Sequence, residues 1–441
     1  MKKKWIWAVI TLTLMTSTVF FSCNSDNDES EPMVTPSEEQ EDPTDSISTD
    51  TLKEFVPIQL TRAEQKLVNN NNDFAFNLMR KALDETQSQI LSPISITYAL
   101  GLLSNGADGE TETQILNVLG FGFCNDENAI DNSDININDF CRKMLSEAPD
   151  LDPLTKVMIA NTIYMNKDYV LQPGFIAAAN EYYDAEPETR DFHDGKTMDV
   201  INQWASDHTM KMIDKVLSED SFNPDAVSYL LNAIYFKGKW TFPFEKDYTR
   251  DETFHAPSGP VLKPMMCQFH EFVYSENDVC QSVTLPYGNG AYSMTILLPH
   301  KDKSVGDVLS TLDGNSFLHY VYSSIEKVDV KLPRFESRTD VSLKKIMSAL
   351  GMPNAFDPEL AEFPRFCNIP VYISMMKQVA RIKLDEQGTE AAAVTVIGDG
   401  ATALPTEKPT YYEFHADRPF LYVISEQSTG AIFFIGQYAG D

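Results

Sequence analysis

The chain of 441 residues carries 65 acidic against 35 basic side chains, a formal net charge of -30, which excludes nucleic acid as a partner because phosphate backbones select basic surfaces. With 43% hydrophobic and 11% aromatic residues, it can bury a sizeable core in one large or two medium domains. None of its six cysteines stands in a C-x-x-C spacing, so neither a zinc site nor a disulfide framework is written into it.

The N-terminus reads Lys2-Lys3-Lys4, an apolar run from Trp5 to Phe21, then Ser22-Cys23. This is an export signal, too short for a membrane span, which needs about twenty apolar residues. A small residue directly before a cysteine at the end of such a run resembles the cleavage site of bacterial lipoproteins. That resemblance implies a signal peptide over 1–22 and lipid on Cys23, the first mature residue. Phe20 is bulkier than the residue usual three places before that cysteine. An ordinary cleaved signal with an incidental cysteine is the rival reading. The start Ser25-Asp26-Asn27-Asp28-Glu29 resembles the export tag of surface lipoproteins in Bacteroidetes-like bacteria. It suggests the outer membrane, with a periplasmic or an outward face. From Asn24 to Val56 there are eleven acidic residues, one lysine and no apolar period, so 23–56 is expected to be a disordered tether.

Further on, apolar residues at three-to-four spacing predict helix over 63–83 and 94–119. Strand-like runs follow at 157–164, 227–236, 292–298, 328–332, 371–384 and 421–424, with helical pattern again near 198–216 and 342–350. Helices first and strands later, without regular alternation, argue an α+β domain over 57–441 with a largely antiparallel sheet. The seven histidines are scattered, with no H-E-x-x-H, and no G-x-S-x-G occurs. Gly195-Lys196-Thr197 ends like a phosphate loop, but Arg190 stands where the first glycine belongs, and a turn is expected there. No metal, cofactor or catalytic constellation is therefore expected. Cys124 and Cys141 flank a polar loop and either pair in an oxidising compartment or stay free thiols.

From Gly388 to Ile397 the residues are small or β-branched apart from Glu390. In a strand, Thr389, Ala391, Ala393, Thr395 and Ile397 would share one face, and Glu390, Ala392, Val394 and Val396 the other. The first face is small enough to slide into a close-packed interior. On composition alone the segment would read as an Ala-rich helix end or a linker.

Its surroundings decide otherwise. Gly388-Thr389-Glu390-Ala391-Ala392-Ala393 resembles the hinge of the reactive loop in serpins, the serine protease inhibitors that trap their target by loop insertion. Other segments resemble the family in order: Ser92-Pro93-Ile94-Ser95, Asn161-Thr162-Ile163-Tyr164, Leu231-Asn232 through Lys239-Trp240, Leu332-Pro333-Arg334-Phe335, Ala416-Asp417-Arg418-Pro419-Phe420 and Phe434-Ile435-Gly436. The resemblance implies helices packed around a large, mainly antiparallel central sheet plus smaller sheets, with an exposed reactive loop. It also implies a monomeric inhibitor rather than an enzyme, with a serine protease as partner and cysteine proteases as a further option. Carried over residue by residue, Glu386 and Trp240 would sit where the loop first enters the sheet, and Ser92, Ser95 and Asn232 where the strands part. Gln378 stands where the family often has histidine, and as an amide it can still donate and accept. The reactive bond would be Thr402-Ala403, within a window from Ala401 to Thr406. Small uncharged residues there suit elastase-like or subtilisin-like pockets better than trypsin-like ones. The alternative is a non-inhibitory binding protein of the same fold on the cell envelope.

Overall fold

The computed structural model describes residues 54–122, 136–389 and 411–441. Its first helix, α1 (Arg62–Ala82), starts where the Thr61 side chain accepts from the Glu64 N–H and the Glu64 carboxylate accepts from the Thr61 N–H, a reciprocal cap that satisfies two otherwise orphaned donors. Then come α2 (Pro93–Ser104), α3 (Gly109–Val118), α4 (Ile137–Glu147), α5 (Pro173–Tyr182), α6 (Thr197–His208), α7 (Val305–Thr311), α8 (Gly314–Val321) and α9 (Lys344–Leu350). Every residue of α2 is buried. It runs through the core as an all-round apolar helix must.

Two predicted helices come out shorter. The stretch 94–119 is split, because Asp108 caps a new helix by accepting from the Gly109 N–H. The pattern over 198–216 stops at His208, and Met210 and Lys211 follow at φ 49° and 65°, a left-handed turn that no helix can continue.

The strands in chain order are β1 (Gln89–Leu91), β2 (Thr155–Asn166), β3 (Glu188–Arg190), β4 (Ser228–Lys239), β5 (Arg250–Ala256), β6 (Gly259–Glu276), β7 (Cys280–Tyr287), β8 (Tyr292–Pro299), β9 (Ser324–Pro333), β10 (Phe335–Ser342), β11 (Met375–Asp385), β12 (Gly388–Thr389), β13 (Tyr412–His415), β14 (Phe420–Glu426) and β15 (Ile432–Tyr438). They form two sheets. One has the order β10-β11-β12-β4-β2-β3; the other runs β1-β15-β14-β8-β7-β6-β9-β13, with β5 paired to β6. Aromatic side chains join the sheets: Phe236 of β4 meets Tyr287, Tyr292 and Phe434 edge-on, with ring centroids 5.1 to 6.0 Å apart. On the other side of the six-stranded sheet, Ile201 and Ala205 of α6 cluster with Tyr229, Leu231 and Val379. The expected α+β architecture is the one found, with parallel pairs β11–β4 and β2–β3 inside a mainly antiparallel sheet. Cys141, Cys267, Cys280 and Cys367 are free thiols, and burial raises the Cys141 and Cys280 thiols well above the ordinary range. Cys124 lies outside the described residues.

Candidate functional site

The six-stranded sheet is held together in two different ways along its length. At one end β4 and β11 pair directly and in parallel, from Met375 opposite Tyr229 to Val379 opposite Ala233. At the other end the chain turns back after Asp385 and inserts β12 between them. There Gly388 opposes Lys239 and Asp385, and Thr389 opposes Gly238 and Leu384. Residues 234–237 of β4 and 380–383 of β11 fall between these ends and belong to neither ladder. The sheet thus carries the first two residues of an additional strand.

Only glycine fits at 388. Its φ is +147°, and a Cβ built there would stand 2.1 Å from the Gly238 carbonyl oxygen, well inside van der Waals contact. Thr389 is fully buried and shares a 2.7 Å hydrogen bond with the Tyr287 hydroxyl of the facing sheet. Burial pushes the Tyr287 phenol well above its ordinary pKa. Trp240 lies flat on Tyr287, centroids 4.4 Å apart and planes 11° from parallel. Its indole Nε1 donates to the Asp385 carbonyl at 3.1 Å and its backbone N–H to the Gln387 carbonyl at 2.8 Å. Stacking of this kind contributes about 0.5–1.5 kcal/mol beyond area burial. The Glu386 side chain is 3% exposed; its Oε1 accepts from Thr249 Oγ1 at 2.8 Å and faces Arg334 at 3.1 Å. Next to it, burial raises the Asp385 carboxyl above its usual range, partly offset by the Gln387 N–H donating to it at 2.9 Å.

The closed half is held by side-chain amides. Asn161, Asn232 and Gln378 stand opposite one another on β2, β4 and β11. Asn232 Nδ2 donates to Asn161 Oδ1 at 2.6 Å, to the Ser95 carbonyl at 3.1 Å and to Ser95 Oγ. Gln378 Nε2 donates to Asn232 Oδ1 at 2.8 Å and to the Ser92 carbonyl at 3.0 Å, while its Oε1 accepts the Ser92 N–H at 3.0 Å. Ser92 Oγ donates to the Phe433 carbonyl at 2.8 Å. All five side chains are buried and every amide proton of Gln378 is used. The glutamine therefore ties α2 to two strands with a group that does not titrate.

The site residues anticipated from sequence thus gather at two places on one seam. Glu386, Trp240, Gly388 and Thr389 meet at its open end; Ser92, Ser95, Asn232 and Gln378 meet at its closed end. Glu390, Ala391, Ala392, Ala393, Thr402, Ala403 and Cys23 lie outside the described residues. Tyr287, Arg334, Thr249 and Asn161 belong to the site as well but were not singled out as site residues. Asn161 and Arg334 lie inside segments that resemble the family, yet nothing local in the sequence says that a hydroxyl on β7 meets residue 389. Among the described residues no group of three or more His, Cys, Asp or Glu could hold a metal ion.

Comparison with known proteins agrees with this arrangement. A family model described as serpin (serine protease inhibitor) matches residues 69–440. An uncharacterized serpin-like protein of Thermococcus kodakarensis is 31% identical over 406 residues, covering 90% of each chain. A serine protease inhibitor of Cyanea capillata is 30% identical over 363 residues, covering 79% of this chain and 91% of its own. The native-state crystal structure of the thermophilic serpin tengpin superposes with a TM-score of 0.77 at 28% identity, covering 89% of this chain and 98% of that one. The chain belongs to the serpin family, and its fold is the serpin fold.

Proposed function

We propose that the protein inhibits serine proteases as a suicide substrate. The protease serine hydroxyl attacks the carbonyl carbon of Thr402. The Thr402–Ala403 C–N bond breaks, the amine of Ala403 leaves with a proton, and an ester joins Thr402 to the protease. The freed segment from Thr389 to about Ala401 then inserts between β4 and β11, and the protease is carried along and distorted before water can reach the ester.

The observation that carries this reading is β12. Continuing its register two residues at a time would set Ala391 beside Phe236 and Ile382, and Ala393 beside Ile234 and Ala380, all four of these neighbours being buried. Thr395 would arrive between Asn232 and Gln378, where its hydroxyl can replace the amide-to-amide bond that insertion must break. On the other face Glu390 would come between Lys237 and Lys383, opposite charges directly across from each other. A bulky residue or a proline within Ala391 to Val394 would favour the non-inhibitory alternative, and none is there.

The small, uncharged stretch Gly400-Ala401-Thr402-Ala403-Leu404 suits proteases with small specificity pockets. Mixed with elastase and subtilisin, the fragment from Phe55 onward is expected to give a band of summed mass on a denaturing gel, together with a small C-terminal peptide. Cleavage by every protease of a broad panel without loss of its activity would refute the inhibitory reading. We also infer that 57–441 is the inhibitory domain, held on the cell envelope by lipid on Cys23 through the acidic tether 23–56. Cys23→Ala should release the protein from the membrane fraction, and an unmodified mature N-terminus elsewhere would rule the anchor out.

A further inference from the structure

The part of the sheet that receives the far end of the loop, β6, β9 and β13, has one face turned to the core and one largely exposed face. On β6, β9 and β13 the buried face presents Phe272, Tyr274, Val328, Val330 and Phe414 to the core. The opposite face follows from the register, since residues directly across share a side. Phe269, Asp329 and Glu413 form one row, and Val273 with Ile325 another. Between them Glu271 and Lys327 stand beside Tyr411, one residue ahead of β13. Three large apolar side chains on this face are open to solvent: Phe269 is 54% exposed, Ile325 67% and Tyr411 45%. Phe269 and Tyr411 meet edge-on with centroids 5.5 Å apart, so they form one aromatic knob. The charged members around it are mostly acidic. A contiguous group of exposed apolar side chains rimmed by charged ones marks an interaction site.

The chain itself says what can reach this face. Tyr411 lies eight residues after Ala403, a span of at most about 28 Å when fully extended. A protease of ~230 residues has a radius of gyration of about 17 Å and is roughly 45 Å across. Whatever holds the Thr402–Ala403 bond in its cleft can therefore rest on β6, β9 and β13. We propose that this face is a docking surface for the target protease. It would engage the side of the protease cleft that holds residues after the scissile bond, and favour proteases with an apolar patch rimmed by basic side chains there. The inference rests on the inhibitory reading and adds a partner-selecting surface outside the bait. Its contribution is to encounter, since contacts made before acylation change how fast the complex forms and not how the acyl-enzyme partitions.

The test uses Phe269→Ala, Tyr411→Ala and the double variant, with Leu262→Ala, 70% exposed on the same strand but beyond the β9 ladder, as control. Against whichever protease of the broad panel the wild type traps fastest, the double variant should form adduct about tenfold more slowly. The number of inhibitor molecules consumed per protease trapped and the melting temperature should match those of the wild type. Trapping at the wild-type rate overturns the docking surface and leaves the inhibitory reading standing. If the wild type traps no protease of the broad panel, the inhibitory reading fails, and the surface is judged by binding to a cleaving protease with its catalytic serine changed to alanine. A tenfold weaker Kd for the double variant then upholds it, and an equal Kd sinks it.

Discussion

Gly388 and Tyr287 hold the first turn of the inserted strand in opposite ways, one by having no side chain and the other by reaching across from the facing sheet. Gly388→Ala must move the Gly238 carbonyl or leave the sheet, so it should lower the unfolding free energy by more than ~1 kcal/mol. Tyr287→Phe leaves the Thr389 hydroxyl buried without its partner, which costs about 1–3 kcal/mol. Urea unfolding followed by tryptophan fluorescence reads both, because Trp240 stacks on Tyr287 and donates to Gln387. Unchanged midpoints in both variants would mean that β12 is not held in the sheet. The sequence made Gly388 and Thr389 conspicuous through the pattern of small residues that follows them. It could not make Tyr287 so, because the contact joins positions 102 residues apart through the packing of one sheet on another. Gln378 is the reverse case: its identity was plain as a departure from histidine, and only the geometry reveals that one amide makes all three bonds.

At the level of elements, the runs that alternate or stay apolar became strands close to where they were expected, since both faces of β4, β8 and β14 are buried and such strands read as continuous apolar stretches. The 18 residues of β6 gave no such signal. Only part of that strand is buried, and its outer residues include Phe269 beside Glu271. The strand expected at 371–384 begins at Met375, the first residue with a ladder partner, because 371–374 carries strand-like residues but lies outside every ladder. Register is what turns these elements into a device. Ala391→Pro removes a strand donor and fixes φ on the growing strand, a penalty of about 3 kcal/mol, enough to slow insertion about a hundredfold if it is felt at the barrier. Thr389→Arg forces an unpaired cation into a position that is now fully buried. Both sites precede the bait, so loop cleavage should proceed at the wild-type rate while adduct yield falls at least tenfold on a denaturing gel. Adduct yield equal to wild type in both variants would remove insertion from the mechanism.

For the molecule as a whole, the proposed trapping requires that the sheet with β4 and β11 joined over only five residue pairs is not the best sheet this chain can form. A complete antiparallel strand would run between them from Thr389, bonding on both sides. It would replace one short parallel ladder, bury the small face of the hinge against Phe236, Ile234, Ile382 and Ala380, and bring Val394 and Val396 under α6. On that proposal, what prevents this in the intact chain is connectivity, since the same segment is tied at its far end to β13 in the other sheet. Cutting the loop removes that tether without altering any side chain. Cleaved protein should therefore be markedly harder to melt than intact protein. A net gain of only ~5 kcal/mol would raise the midpoint by about 6 °C, readable by circular dichroism after limited proteolysis in the loop. The hinge variants should gain less on cutting, because their strand cannot complete. Intact and loop-cut wild-type protein melting together would mean that no strain is stored in the intact sheet, and the trapping mechanism would have no driving force.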